Sequence, residues 1–283
     1  MIKKVVTASA IAVAFIAMAV WIAWGNSNPE TTLYTLKSER LPKAFDGFRV
    51  AQISDLHNAE LDKGNQKLLA LLNSAKPDIV VFTGDIVDSR RTNISKALKL
   101  VEETVKIAPC YYVTGNHESR LSTAVYGELE SGLQSLGVTV LHDETALLER
   151  DGEQISLVGL DDFEFAENHY GKDNHTKEYL QNLIPENFSI LLTHRPNEFA
   201  LYSETGAELT LCGHVHGGQF RLPWIGGIYA PDQGLFPKYD GGLYERNGAK
   251  MAVSRGVGNS LFPFRVNNRP ELVVTELRST KTV

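Results

Sequence analysis

Apolar and polar positions alternate in blocks along most of this chain. Short apolar runs recur, and a polar cluster follows each of them directly. A run without polar interruption is typical of a strand that a sheet buries on both faces. Five of the apolar runs are predicted to be strands, at 48–53, 79–82, 110–113, 189–192 and 209–212, and the run at 79–82 is of this uninterrupted kind.

Between these runs, apolar residues recur at helical spacing. Helices are therefore predicted at 65–75, 94–107, 123–136, 177–183 and after Pro196. Three more strands are predicted at 138–141, 146–149 and 154–160. Strands that alternate with helices are typical of an α/β sandwich, in which functional residues lie at the carboxyl ends of the strands. The pattern predicts one α/β domain with its site at that edge, followed by a strand-rich region after Gly217.

The amino terminus has a different pattern. Residues 5–24 carry no charge, and their length matches a helix of about 20 residues that spans a bilayer. We interpret this segment as an uncleaved anchor, and a signal peptide cleaved near Ala23-Trp24-Gly25 is the alternative. Lys3 and Lys4 favour a cytoplasmic amino terminus and an extracytoplasmic body. If the segment is instead a cleaved signal peptide, the alternative is that the protein is secreted.

Three segments follow from this pattern. Residues 1–25 are predicted to be a signal anchor, and residues 26–43 a polar tether that spaces the body from the membrane. An edge strand at 32–36 is predicted within the tether. Residues 44–283 are predicted to form the catalytic domain.

The amino-acid composition argues against one class of binding partner. The 283-residue chain has a net charge of −6 and no cluster of Lys and Arg, which argues against nucleic acid. Its two cysteines, Cys110 and Cys212, each lie in an apolar run and are predicted to be buried core residues without a disulfide. The oligomeric state does not follow from the sequence.

The polar clusters at the strand ends share residue types that bind metal ions. They are Asp55-x-His57, Gly84-Asp85-x-x-Asp88, Gly115-Asn116-His117-Glu118, His194 and Gly213-His214-x-His216. A single His-x-His motif is weak evidence, but five clusters in this order are specific. The three histidines outside these clusters, His142, His169 and His175, are predicted to be surface residues.

With these clusters the chain resembles the calcineurin-like metallophosphoesterases, and in particular bacterial membrane-associated phosphodiesterases of the YkuE and YaeI type. The resemblance extends from about Leu41 to the carboxyl end. It implies a four-layer α/β/β/α sandwich, preceded here by the transmembrane helix. It also implies that Asp85 bridges two metal ions. One ion would be held by Asp55, His57 and His216, and the other by Asn116, His194 and His214.

A ligand set rich in imidazole suits divalent Mn, Fe, Co or Zn better than Mg or Ca. Two such ions repel each other, so a carboxylate and a hydroxide are expected to bridge them, and the hydroxide is the expected nucleophile. By resemblance, His117 faces the substrate as a protonated imidazole that donates to the leaving oxygen, and Asp88 orients it. A loop or cap aspartate is the alternative for Asp88, and Glu118 is expected to be structural.

The predicted function is hydrolysis of a phosphodiester or pyrophosphate, with a lipid-linked phosphoester as the expected substrate. The anchor keeps the site near a bilayer, and the loops at 222–225 and 261–264 are apolar. The alternative function is a non-catalytic, metal-stabilised binding domain tethered to the membrane. Candidate phosphate contacts are Arg90, Arg91, Arg221, Arg255 and Arg265.

Overall fold

The computed structural model describes residues 2–281. Helices of seven residues or more are α1 (Ile2–Ser27), α2 (Gln66–Ala75), α3 (Ile94–Thr104), α4 (Thr123–Ser135) and α6 (Lys177–Leu183), with short helices α5 (Phe163–Phe165) and α7 (Phe199–Tyr202). The side chains of Lys3 and Lys4, on which the predicted orientation in the membrane rests, lie outside the described part.

Two six-stranded sheets form the centre of the molecule. The first sheet has the order β1 (Glu30–Ser38), β16 (Glu271–Ser279), β2 (Arg49–Ile53), β3 (Ile79–Thr83), β4 (Cys110–Val113) and β5 (Thr139–Val140). The second has the order β14 (Gly242–Arg246), β15 (Ala249–Val253), β9 (Leu209–Cys212), β8 (Ser189–Leu192), β7 (Glu153–Gly159) and β6 (Glu144–Arg150). Strands β2 to β5 are parallel, and so are β7, β8, β9 and β15.

The two sheets pack face to face. Because successive side chains of a strand point to opposite faces, each sheet contributes one face to the core between the sheets and the other face to a core beneath the helices. In β2, Val50 belongs to the core between the sheets, whereas Ala51 and Ile53 face the core beneath α2, α3 and α4. A third core lies on the outer face of the second sheet, where Leu180 of α6 and Tyr202 of α7 pack. The predicted four-layer α/β/β/α sandwich is confirmed.

The segment predicted as a tether differs from the expectation. Its edge strand is longer than predicted, because β1 runs from Glu30 to Ser38 and pairs in parallel with the whole of β16. Only Asn28 and Pro29 separate this strand from the end of α1. The sheet therefore begins almost where the helix ends, and the division of the chain into anchor, tether and catalytic domain stays a prediction.

Helix α1 is long and apolar enough to cross a membrane from Ser9 to Ser27, and none of that stretch is buried within the protein. The strand-rich region after Gly217 contains two short hairpins. They are β10 (Arg221–Leu222) with β11 (Gly226–Gly227), and β12 (Tyr229–Ala230) with β13 (Gly234–Leu235). Both cysteines are free and buried, as predicted.

Candidate metal centre

The carboxyl ends of five parallel strands meet at one edge of the sandwich. Strands β2, β3 and β4 deliver the clusters that begin at Asp55, Asp85 and Asn116, and β8 and β9 deliver His194 and His214 from the other sheet. All of these side chains are buried. The site therefore lies between the two sheets, where neither sheet alone could assemble it.

One group of possible metal ligands consists of Asp55, His57 and His216. His216 Nε2 lies 3.2 Å from His57 Nε2 and 3.4 Å from Asp55 Oδ1. Ser54 Oγ donates to Asp55 Oδ2 at 2.6 Å, and His214 N donates to both carboxylate oxygens at 3.0 Å. These bonds fix the Asp55 carboxylate beside the two ring nitrogens.

The second group consists of Asp85, His194 and His214, with Asn116 beside it. His194 Nε2 lies 3.3 Å from His214 Nδ1 and 3.2 Å from Asn116 Oδ1. The other ring nitrogen of His194 has a partner, since His194 Nδ1 donates to Thr83 O at 2.7 Å. A donor bond of this kind fixes the tautomer that leaves the opposite nitrogen free for a metal ion.

Asp85 lies between the two groups. Its Oδ2 is 3.5 Å from His57 Nε2 and 3.3 Å from His194 Nε2, while its Oδ1 accepts a hydrogen bond from His117 N at 2.8 Å. One carboxylate oxygen is therefore held by the backbone, and the other faces imidazoles of both groups. This is the arrangement that the sequence predicts for a bridging aspartate.

The charges around His194 fit a cation. Burial opposes protonation of His194, but the neighbouring Asp85 outweighs this effect and raises the pKa of His194 to about 10. Burial also opposes ionisation of Asp85, yet His194 and His117 hold the pKa of Asp85 well below its usual range. A field that stabilises positive charge on buried imidazole also favours a metal ion, which competes with protons for the same nitrogens.

Strained backbone positions are concentrated among the predicted ligands. Asp55, His57, Asp85, His214 and His216 all have left-handed φ angles, between 47° and 72°. Non-glycine residues rarely adopt this conformation, and it costs about 1–3 kcal/mol at each position. This conformation of the turns therefore lowers the folding stability of the protein, and it directs these side chains into the site.

Gly84 and Gly115 allow close approaches at the centre, Gly84 to His194 of the other sheet and Gly115 to Asp85 of the same sheet. Gly84 has φ of +84°, and a Cβ atom there would lie 2.6 Å from His194 Nδ1. At Gly115 a Cβ atom would overlap the carboxylate of Asp85. Only a residue without a side chain fits at either position.

Gly84→Ala is therefore expected to displace His194 from Thr83 O and to lower the metal content of the purified protein, measured by elemental analysis. Gly152→Ala is the matched control, because Gly152 has a similar φ of +79° and open space around it. Both variants should lose about 1–2 kcal/mol of stability from the left-handed backbone. Equal metal content in the two variants would contradict the proposed position of His194.

His117 is held by a different contact from the one predicted. Ser89 N donates to His117 Nδ1 at 3.0 Å, so that nitrogen is an acceptor and the proton lies on Nε2. Burial lowers the pKa of His117, which agrees with a neutral ring. Asp88 Oδ1 lies 3.6 Å from Nδ1, too far for a hydrogen bond, and accepts instead from Arg90 Nε at 3.1 Å. The orienting role of Asp88 remains a prediction.

Glu118 has a structural environment. Its Oε2 accepts hydrogen bonds from Asp85 N and Gly115 N, each at 2.8 Å. Burial and the nearby Asp85 raise the pKa of Glu118 to about 8. This carboxyl group joins the turns after β3 and β4, as the expected structural role requires.

A cavity of about 270 Å³ opens beside the metal-ligand groups. Arg90, Arg120 and Arg195 line it together with Tyr229, Leu261 and Phe262. The cavity therefore combines cationic and apolar walls next to Asp85 and His117.

Of the five arginines predicted to contact phosphate, Arg90 alone is among the residues that line this cavity. Arg221 pairs with Asp240, Arg255 pairs with Glu271, and Arg265 is buried against backbone carbonyl groups. Arg91 lies in a neighbouring depression. The local sequence did not distinguish these structural arginines from those at the cavity.

Sequence reasoning missed a carboxylate and an arginine at the second group. Asp232 Oδ2 lies 2.9 Å from His214 Nε2 and accepts from Arg195 at 2.6 Å. Asp232 thus orients His214 as Thr83 O orients His194. Arg195 follows His194 directly, which was an available indication, but Asp232 lies in a hairpin loop without a recognisable motif.

The three remaining histidines are half-buried, so they are less exposed than the predicted surface positions imply. His142 Nδ1 lies 2.8 Å from Asp161 Oδ2, because His142 precedes β6 and Asp161 follows β7, and these two strands pair antiparallel. Asp161 outweighs burial and raises the pKa of His142.

Two stacked mixed sheets, with buried imidazole and carboxylate groups on either side of a shared aspartate, define the metallophosphoesterase class. Residues 48–218 match the model of the calcineurin-like phosphoesterase family, and the chain belongs to this family. The resemblance predicted from the motifs is confirmed.

Three relatives cover most of this chain. Metallophosphoesterase YkuE of Bacillus subtilis is 34% identical over 89% of this chain and 86% of its own length. Phosphodiesterase YaeI of Escherichia coli is 29% identical over 81% of this chain and 82% of its own. UDP-2,3-diacylglucosamine pyrophosphatase LpxG of Chlamydia muridarum is 25% identical over 89% of this chain and 91% of its own.

Proposed function

We propose that this protein is a hydrolase that cleaves a phosphodiester or pyrophosphate of a lipid-linked substrate with two divalent metal ions. One ion would be held by Asp55, His57 and His216. The other ion would be held by Asn116, His194 and His214, and Asp85 would bind both ions. The observation that carries the proposal is the position of Asp85 Oδ2, within 3.5 Å of His57 Nε2 and 3.3 Å of His194 Nε2. When bound, Mn, Fe, Co or Zn ions would supply Lewis acidity and activate water near neutral pH.

The residues around the metal ligands would position the substrate. His117 has its proton on Nε2 and lines the cavity, so it can donate a hydrogen bond to a phosphoryl or leaving-group oxygen. Arg120 extends into solvent at the cavity, and its one ion pair within the described part of the chain is with Glu164 at 3.6 Å. Its guanidinium group is therefore available for a second phosphate or an anionic head group.

The apolar wall of the cavity supports an amphipathic substrate. Leu261, Phe262 and Tyr229 are all exposed, although they border a polar centre. The name of the relative LpxG specifies a diacylated sugar nucleotide, and the relative YaeI is named as a phosphodiesterase. A phosphoester that carries acyl chains would match both walls of this cavity.

We further propose that α1 anchors residues 44–283 as a single-pass membrane protein, with residues 1–25 as the anchor. The extracytoplasmic side is the proposed location of the catalytic body. Secretion after cleavage near Gly25 remains the alternative. Asn26, which would begin the cleaved form, exchanges hydrogen bonds with the backbone of Arg265, so the end of the helix is part of the folded body.

Phe262→Ser is expected to raise KM for a long-chain lipid phosphoester several-fold and to leave kcat/KM for a short soluble diester almost unchanged. The physical reason is that removal of an apolar contact made equally in the ground and transition states weakens binding alone. Kinetics of the detergent-solubilised full-length protein test this expectation.

Leu147→Ser is the matched control, because Leu147 is also exposed but lies on β6, outside the cavity. Leu147→Ser should leave KM and kcat/KM unchanged for both substrates. If Phe262→Ser raises KM for both substrates equally, or if the native protein prefers soluble diesters, Phe262 is a structural residue and the proposal of a lipid-linked substrate is wrong.

A further inference from the structure

Exposed apolar side chains are concentrated in one region of the body. Outside α1, thirteen large apolar side chains are exposed among the described residues, and nine of them lie within 222–236 and 261–264. We call these nine the apolar loop surface: Leu222, Trp224, Ile225, Tyr229, Leu235, Phe236, Leu261, Phe262 and Phe264. Trp224, at the tip of the β10–β11 hairpin, is fully exposed. Such a concentration marks a surface that binds something apolar.

The segments of this surface are joined side by side. Phe220 forms a bridge with Val266, and Ile228 N donates to Phe220 O at 2.9 Å. Phe236 N donates in turn to Ile228 O at 2.8 Å. The ring of Phe220 also packs against those of Phe262 and Phe264, at centroid distances of 5.1 and 5.6 Å. The two hairpins and the loop at 261–264 therefore form one continuous layer.

This layer is attached directly to the end of the membrane helix. Asn26 Nδ2 donates to Arg265 O at 2.9 Å, and Arg265 N donates to Asn26 Oδ1 at 2.8 Å. The guanidinium group of Arg269 lies over the ring of Trp24, 5.0 Å from its centroid. Arg265 follows Phe264 in the chain. The point where α1 leaves the bilayer is thus fixed next to the loop that carries three of the exposed apolar residues.

We propose that the apolar loop surface docks into the interface of the bilayer that α1 enters. Tryptophan and tyrosine side chains favour this depth, and Trp224 and Tyr229 provide both. Leu261, Phe262 and Tyr229 belong to the surface and to the cavity wall. Docking therefore places the mouth of the cavity at the lipid surface. The docking goes beyond the proposed reaction, since it depends on the surface and not on the metal ions.

Fluorescence of Trp224 tests this proposal without an activity assay. The chain has three tryptophans, so Trp21→Phe with Trp24→Phe leaves Trp224 as the single reporter in the full-length protein. The protein is reconstituted into vesicles of phosphatidylcholine and phosphatidylglycerol, with or without bromine on the acyl chains. We expect brominated lipid to quench Trp224 emission and aqueous iodide to leave it nearly unchanged. Quenching by iodide and not by brominated lipid would overturn the proposal.

Two further single-tryptophan proteins serve as references. Trp24 alone, in α1, should be quenched by brominated lipid, and a failure there would overturn the premise that the surface lies beside a membrane helix. Leu147→Trp, in a chain without the three native tryptophans, places the reporter on β6 outside the surface. It should respond to iodide only. Lipid quenching of this control equal to that of Trp224 would also overturn the proposal, because contact with lipid would not be specific.

Discussion

Asp85→Asn is expected to abolish phosphoester hydrolysis and to remove metal from the purified protein. The substitution keeps the shape of the side chain but removes the negative charge between two cation sites whose imidazoles lie within 3.5 Å of its Oδ2. Metal ions contribute several kcal/mol to the transition state, which corresponds to a loss of about 10³-fold or more in kcat. Elemental analysis and steady-state kinetics on the same preparation measure both effects.

Asp78→Asn is the matched control for this variant. Asp78 precedes the same strand, β3, at its opposite end, where its carboxylate accepts a hydrogen bond from Arg49 N at 2.7 Å. The control should retain metal and activity. Two metal ions per chain in Asp85→Asn would contradict the assignment of Asp85 as the shared ligand.

His117→Ala is expected to keep both metal ions and to reduce kcat by about 10²–10⁴-fold, because the Nε2–H of the neutral ring no longer donates a hydrogen bond to the leaving oxygen. The loss should be smallest for substrates with acidic leaving groups, because the charge that develops on their leaving oxygen needs the least stabilisation. Measurement of kcat across a series of aryl phosphodiesters of different leaving-group pKa tests this role. An equal loss along the whole series would eliminate His117 as the donor.

Ser89→Ala separates this role from the local structure. The backbone N–H of Ser89, which alanine retains, fixes the tautomer of His117, whereas the Ser89 Oγ that lies 3.2 Å from His117 Nδ1 is removed. We therefore expect this variant to keep most of its activity, with the same dependence on leaving-group pKa as the native protein.

Much of the centre could be predicted from the sequence because each ligand cluster immediately follows a strand. The apolar runs before Asp55, Asp85 and His214 fixed these residues at strand ends, and parallel strands bring such ends to one edge. The resemblance then supplied the pairing of ligands with ions. The structure brings the predicted ligands close together and also places His117 beside His57 and Asp85, so the assignment of each ligand to an ion stays a prediction.

Contacts between distant segments could not be predicted in the same way. β1 was underestimated because its partner, β16, lies more than 200 residues further along the chain and local pattern contains no information about that pairing. Asp232 was missed for the same reason, since only the folding of a hairpin loop brings it to His214. The tautomer of His117 depends on the backbone of Ser89, which no residue type reveals.

Anomalous diffraction from crystals grown with Mn²⁺ tests whether Asp85 joins two metal ions held by both sheets. We expect two anomalous peaks about 3.5–4 Å apart, one on each side of the Asp85 carboxylate. The first should be ligated by Asp55, His57 and His216, and the second by Asn116, His194 and His214. A single peak, or two peaks that do not share Asp85, would contradict the proposed role of Asp85.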